Sequence, residues 1–148
     1  PACASYHPFV KQLRGDFPKD LRIVYRFFPL TNIHKNAMLA AQASYAAGKQ
    51  NKFWEMHDSL YENQNSWANI SPKDTFIEYA KDLELDLDKF KTDLEDNLTK
   101  QFINAQANKG TSIGVGSTPT FFVNGINIQN PRNYEDFKKI IQNEINKK

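Results

Sequence analysis

The single cysteine of this 148-residue chain, Cys3, is the side chain best suited to covalent chemistry. A thiolate is a nucleophile and a redox group, and the N-terminus of a helix favours it because the helix dipole stabilises negative charge there. Apolar residues follow at positions 6, 9, 10 and 13, which is the spacing of one helix face. The pattern therefore places Cys3 in the first turn of a helix. An ordinary buried thiol is the alternative interpretation.

Three histidines are the other candidates for chemistry. His7 follows Cys3 by one turn and, when protonated, would stabilise a thiolate, although a solvated histidine is the commoner case. His7, His34 and His57 are separated by 27 and 23 residues, which matches no metal-ligand spacing. We therefore predict no metal site and no cofactor.

The periodicity predicts one strand after the first helix, at Leu21–Phe28, with apolar residues on both faces. A block of helices follows, and the last of them is interpreted as bent or split. Asn124-Gly125 predicts a two-residue hairpin turn, and the closing helix ends in a basic, solvated tail. The predicted helices of the block are Lys35–Ala47, which is capped by Gly48, Asn51–Gln64, a helix with Ser71 as N-cap and Pro72 at its first position, and Leu87–Asn108. The predicted hairpin strands are Thr120–Val123 and Ile126–Ile128. The closing helix is Tyr134–Ile145, and the basic residues of the tail are Lys138, Lys139, Lys147 and Lys148.

Composition narrows the class of protein. The chain is 40% hydrophobic and 24% charged, with a formal net charge of +2, so the composition predicts one globular unit with no broad basic field for nucleic acid. The order of the predicted helices and strands indicates the α/β class. No apolar run reaches the roughly 20 residues of a membrane span, so we expect this chain to be soluble and without membrane contact. The aromatic cluster at Phe53, Trp54, Met56 and Tyr61 is interpreted as core rather than as a substrate groove.

Several motifs together resemble those of the DsbA-like thiol:disulfide oxidoreductases, which are thioredoxin folds with an inserted helical domain. They are Pro1-Ala2-Cys3 opening a helix, Arg26-Phe27-Phe28-Pro29-Leu30 at the end of the predicted strand, Lys52-Phe53-Trp54-Glu55-Met56-His57-Asp58, and Gly114 to Gly125 containing Thr118-Pro119. The resemblance covers nearly the whole chain. It implies domain boundaries at residues 1–34 and 109–148 for the thioredoxin-like parts and 35–108 for the helical insertion.

The resemblance also implies roles for individual residues. Pro1, Ala2 and Cys3 look like the last three residues of a Cys-Pro-x-Cys site, in which Cys3 is the resolving cysteine. Thr118-Pro119 looks like the cis-proline loop that binds an extended substrate peptide; a plain turn before a strand is the alternative. The family has a cysteine before Pro1 and a strand before that, so we expect the chain to begin inside the motif, and we expect it alone to be inactive as a dithiol enzyme.

The function implied is disulfide exchange with protein or peptide thiols, assisted by a redox partner protein and without nucleic acid. The location implied is periplasmic or otherwise extracytoplasmic, after removal of a signal or with an N-terminal anchor. Two other functions stay open: a peptide-binding or chaperone module without redox turnover, and a monothiol enzyme of the glutathione-dependent kind. Exposed residues near Cys3, such as Tyr6 or His7, are candidate substrate contacts.

Overall fold

A computed structural model describes residues 1–147, and the predicted tail residue Lys148 lies outside the described part. The elements are mainly helical, with one short antiparallel ribbon near the C-terminus. In chain order they are α1 (Ala2–Asp16), α2 (Ala37–Gly48), α3 (Phe53–Glu62), α4 (Gln64–Trp67), α5 (Lys73–Asp82), α6 (Leu87–Glu95), α7 (Asn97–Ser112), β1 (Phe121–Val123), β2 (Ile126–Ile128) and α8 (Tyr134–Ile145).

The chain forms two compact units. The first consists of Pro1–Tyr25 together with the C-terminal part from Val115 onward, and the second is Arg26–Gly114. The first unit holds α1, the ribbon and α8, whereas the second holds the helices α2 to α7. Each unit has its own hydrophobic cluster.

In the first unit, α1 and α8 pack around one apolar cluster with the ribbon. Leu13 and Phe17, at the end of α1, are buried with Phe137 and Ile141 of α8. Phe121 of β1 packs its ring against Phe137, with centroids 4.9 Å apart at 67°. This cluster holds α1, and with it the Cys3 turn, in a fixed relation to the ribbon.

The predicted hairpin is confirmed. Val123 pairs with Ile126, so Asn124 and Gly125 form a two-residue loop. Both loop residues have positive φ, 48° at Asn124 and 83° at Gly125, as a type I′ turn requires. Glycine adopts this conformation at low cost because it has no Cβ, and asparagine does so because its short polar side chain can hydrogen-bond to nearby groups.

The second unit is a helical cluster around the alanine-rich α2. Ala43, Ala46 and Ala47 have no exposed surface, and Phe76 and Phe90 are completely buried in the same cluster. Small side chains let neighbouring helices approach closely. In the predicted aromatic cluster Met56 is completely buried, whereas Phe53, Trp54 and Tyr61 are half-buried.

The long predicted helix over residues 87–108 is split, as interpreted from the sequence. Asp96 lies between α6 and α7 in an extended conformation with ψ of 126°. Its carboxylate accepts hydrogen bonds from the Leu98 backbone N–H at 3.0 Å and the Thr99 hydroxyl at 3.4 Å. Asp96 therefore ends one helix and caps the next, because its side chain satisfies an otherwise unpaired first-turn N–H.

The prediction of a strand at Leu21–Phe28 was wrong. No strand is assigned to residues 21–30, and Val24 is 53% exposed rather than buried on both faces. Strand hydrogen bonding needs a partner, and β-rich composition does not reveal whether one is present. At Phe27 a side chain takes the role of a partner strand, because the Phe27 backbone N–H donates to Gln106 Oε1 at 2.8 Å.

Several predicted helix bounds differ from the structure; for example, the helix predicted to end at Asn108 continues to Ser112, and the one predicted from Lys35 begins at Ala37. The helix predicted over Asn51–Gln64 is two elements, α3 and the short α4, with Asn63 between them. Gly48 is the last residue of α2 rather than its cap. Pro72, not Ser71, is the N-cap of α5 and no side chain caps it; the Pro72 carbonyl accepts the first helical bond from Phe76 N–H at 2.9 Å. Within the described residues, no helix has the length and apolar character to cross a membrane.

Candidate active site

Cys3 is the second residue of α1 and is half-buried. The helix begins directly after Pro1, its N-cap, and the Ser5 N–H donates to the Pro1 carbonyl at 3.1 Å. No acidic residue lies in the first turn of α1. The first N–H groups of a helix have no partner within the helix, so this turn presents partial positive charge to a nearby anion.

Tyr6 connects the Cys3 turn to the ribbon within the first unit. Its ring lies between Phe9, with centroids 5.8 Å apart at 87°, and Phe121 of β1, at 5.4 Å and 53°. Its hydroxyl donates to the Pro131 carbonyl at 2.9 Å. Tyr6 was predicted to be an exposed candidate contact; it is half-buried, because its ring packs between these elements.

The loop before β1 contains the second predicted site. The Thr118-Pro119 bond is cis, as the resemblance implied, and both residues are half-buried. The Thr120 hydroxyl donates to the Ser117 carbonyl at 2.7 Å, which closes a short turn around the two residues. The Asn130 amide nitrogen donates to the Pro119 carbonyl at 2.9 Å. One hydrogen bond within the loop and one from Asn130 therefore hold its conformation.

The structure places Cys3, Thr118 and Pro119 in the same compact unit. Tyr6, three residues after Cys3, contacts Phe121, two residues after Pro119, so α1 and β1 are in contact close in sequence to both predicted sites. Sequence reasoning did not find Asn130. Its contact joins a side chain to a backbone carbonyl 11 residues earlier, and no periodic pattern records such a pair.

His7 is not the solvated ring that the sequence favoured, because it is buried. His7 is only 6% exposed, so it is not the exposed substrate contact that the sequence suggested. His57 is also buried, with the Tyr61 and Trp54 ring centroids at 4.8 and 5.1 Å. His34 is exposed.

Away from Cys3, a polar clasp fastens α1 to α8. The Tyr134 hydroxyl donates to Asp16 Oδ2 at 2.7 Å, and the Lys138 ammonium lies 3.1 Å from the same oxygen. These two hydrogen bonds lower the pKa of Asp16. Burial and the hydrogen bond to Asp16 raise the pKa of Tyr134 to about 12. The basic tail is therefore partly paired: Lys138 binds Asp16 and Lys147 binds Glu144.

Comparison with known proteins gives a family match and a fold match. The family model described as Thioredoxin matches residues 1–143. The solved thiol-disulfide exchange protein alpha-DsbA2 from Wolbachia pipientis superposes with a TM-score of 0.79 at 19% identity, covering 96% of this chain and 74% of that chain. The thioredoxin-like fold class predicted from the sequence is confirmed.

Curated relatives of this chain are named Na(+)/H(+) antiporters rather than thioredoxins. The chain is 39% identical over 135 residues to Na(+)/H(+) antiporter NhaA 3 of Salinispora tropica, covering 91% of this chain and 20% of that protein. It is 42% identical over 125 residues to Na(+)/H(+) antiporter NhaA 1 of Salinispora arenicola, covering 84% and 18%. This chain thus spans about a fifth of the length of these relatives.

Proposed function

This chain belongs to the thioredoxin family, and from that premise we propose that it is the thiol:disulfide exchange domain of an oxidoreductase acting on protein substrates. The observation that supports the proposal most strongly is the placement of the only cysteine in the first turn of α1. A sulfur there faces the positive end of the helix, which is where thiol exchange chemistry is favoured.

Cys3 is proposed as the second cysteine of a Cys-Pro-Ala-Cys site, with Pro1 and Ala2 as the residues between the two thiols. In the oxidising direction, a substrate thiolate attacks the first cysteine of the enzyme disulfide, and Cys3 leaves as a thiolate. A second substrate thiolate then attacks the substrate sulfur of the mixed disulfide and expels the first cysteine. The substrate loses two electrons and two protons, and the enzyme disulfide becomes a dithiol.

Thr118 and Pro119 are proposed to bind the substrate chain. They precede β1 with only Thr120 between, and they are half-buried, which leaves part of their surface open to an extended peptide. Pro119 has no N–H, so the amide donor at this position must come from Thr118. Main-chain hydrogen bonding of this kind accepts many sequences, which suits an enzyme with diverse protein substrates.

The proposed location is extracytoplasmic, where disulfides persist, with attachment to a membrane through another part of the protein. The relatives named Na(+)/H(+) antiporters support attachment, because an antiporter moves ions across a membrane and the matching segment is about a fifth of its length. A partner that restores the oxidised or reduced pair completes the cycle. The thioredoxin-like parts are proposed at residues 1–34 and 109–148, with the helical insertion at 35–108.

A mass measurement on the complete protein that carries this chain tests the proposal. After mild oxidation and proteolysis, Cys3 should be found in a disulfide with the residue before Pro1, and a reductant should release it. The Cys3→Ser variant is the matched control and should not form this linkage. The proposal fails if the residue before Pro1 is not cysteine, or if Cys3 stays a free thiol while a model dithiol in the same buffer is oxidised.

A further inference from the structure

Two side-chain hydrogen bonds meet on neighbouring residues of the segment that follows β2. The Tyr6 hydroxyl donates to the carbonyl of Pro131 at 2.9 Å, across 125 residues of sequence. The Asn130 amide donates to the carbonyl of Pro119 at 2.9 Å. Pro131 is therefore hydrogen-bonded to α1, and the neighbouring Asn130 is hydrogen-bonded to the loop before β1.

The position of the Tyr6 hydroxyl is fixed by its ring. Phe9 and Phe121 contact that ring from the helix and from β1. Tyr6 follows Cys3 by three residues, which is about 4.5 Å along a helix axis and nearly one turn. Pro131, which accepts the bond, is itself buried. The hydroxyl is thus anchored to the same end of α1 that carries the thiol.

The hydrogen bond from Asn130 to Pro119 depends on the amide group of the asparagine side chain. Asn130 is exposed, so its hydrogen bond to Pro119 is not part of the hydrophobic core. Its side chain contacts a backbone carbonyl, an acceptor, so only the amide NH₂ can make this bond. An aspartate carboxylate has almost the same shape, but it can only accept hydrogen bonds. An aspartate at this position could therefore not donate to the Pro119 carbonyl.

We propose that Tyr6 and Asn130 are positioning residues that set the peptide-binding loop at Thr118-Pro119 against the Cys3 turn. They form a relay of two hydrogen bonds from α1 through Pro131 and Asn130 to Pro119, and in this proposal the relay acts on the loop rather than on the thiols. The relay governs how tightly an extended peptide substrate binds, and it leaves the chemistry of the thiols unchanged. This inference rests on the proposed thiol:disulfide exchange function.

The test compares a peptide disulfide with a small disulfide as substrates of the complete protein. Tyr6→Phe removes one hydroxyl and keeps the ring, and Asn130→Asp replaces the donor without changing size. Each variant should raise KM for the peptide disulfide about 3- to 10-fold, the size expected for one net hydrogen bond, with kcat changed less than about 2-fold. The rate with glutathione disulfide should stay within about 2-fold, because that substrate is too small to need the loop.

Asn127→Asp is the matched control. Asn127 is an exposed residue of β2 opposite Phe122, so the substitution adds the same charge without touching the relay. It should leave the peptide KM unchanged. Equal losses on both substrates would mean that Tyr6 and Asn130 only support α1, and unchanged peptide KM in both variants would mean that no relay operates. Either result overturns the inference.

Failure of the proposed function is recognised separately. If the unsubstituted protein reduces neither disulfide, the proposed exchange function is wrong. The relay is then tested by measuring how tightly the protein binds the same peptide with its cysteine replaced by serine. Tyr6→Phe and Asn130→Asp should weaken that affinity by the same 3- to 10-fold, about one hydrogen bond. Unchanged affinity in both variants, or no peptide binding by the unsubstituted protein, overturns the relay.

Discussion

At the scale of single residues, the first unit is organised by three side chains that each join distant parts of the sequence. Tyr6 reaches Phe121 and Pro131, Asn130 reaches Pro119, and Tyr134 reaches Asp16. The sequence predicted the placement of Cys3, because apolar spacing defines the helix that follows it. It did not predict the joining contacts, because each depends on tertiary packing rather than on a local pattern.

Tyr134 predicts a specific loss of stability at high pH. Its folded-state pKa of about 12 lies above its ordinary value of 10.0. The contribution of its hydroxyl is therefore complete below pH 10 and declines as the pH rises towards 12, because the unfolded chain loses the proton first. Urea unfolding of the parent and of Tyr134→Phe should show a free-energy difference that is constant from pH 7 to about 9.5 and then shrinks.

Asp16→Asn is the control for that measurement. It keeps the size of the side chain but removes the charge that contributes to the raised pKa of Tyr134. In this background the folded-state pKa of Tyr134 should be lower, so the alkaline decline should be smaller and should end at a lower pH. A free-energy difference between the parent and Tyr134→Phe that stays flat up to pH 12 would contradict the clasp.

At the scale of elements, sequence patterns located the helices and the ribbon well where the signal is local. The Asn124-Gly125 turn, the Tyr134–Ile145 helix and the break within residues 87–108 all agree with the structure. The strand at Leu21–Phe28 failed because strand formation depends on a partner elsewhere. A helix satisfies its own backbone, whereas a strand does not, and the composition of one segment carries no information about its partner.

Two glycines predict opposite effects on stability when each is replaced by alanine. Gly125 has φ of 83°, where an alanine Cβ is strained, so Gly125→Ala should destabilise the protein by about 1–2 kcal/mol. Gly15 lies within α1, and a Cβ there would meet no atom within 4 Å, so Gly15→Ala should stabilise by about 0.5–1 kcal/mol. Urea midpoints with unchanged m-values measure both changes. Shifts in the same direction would contradict the turn geometry or the helix assignment.

At the scale of the whole molecule, the chain combines a unit that carries the candidate site with a helical unit that has its own core. The fold class followed from the order of elements and from the resemblance of its motifs, and the fold match confirms it. The roles of Cys3, Thr118 and Pro119 stay proposals, because a fold positions residues without fixing their chemistry. The relatives named antiporters place this fold within much longer proteins.

The most direct test of the central claim is covalent trapping by Cys3→Ser in the complete protein. The thiolate of the first cysteine attacks a peptide disulfide, one peptide sulfur leaves as a thiolate, and a mixed disulfide forms. Cys3 normally resolves this intermediate by attacking the first cysteine and expelling the peptide. We predict that Cys3→Ser accumulates a protein–peptide adduct that a reductant removes, while the parent shows almost none. An adduct on Cys3 itself in the parent, or no adduct in Cys3→Ser, would contradict its role as the resolving cysteine.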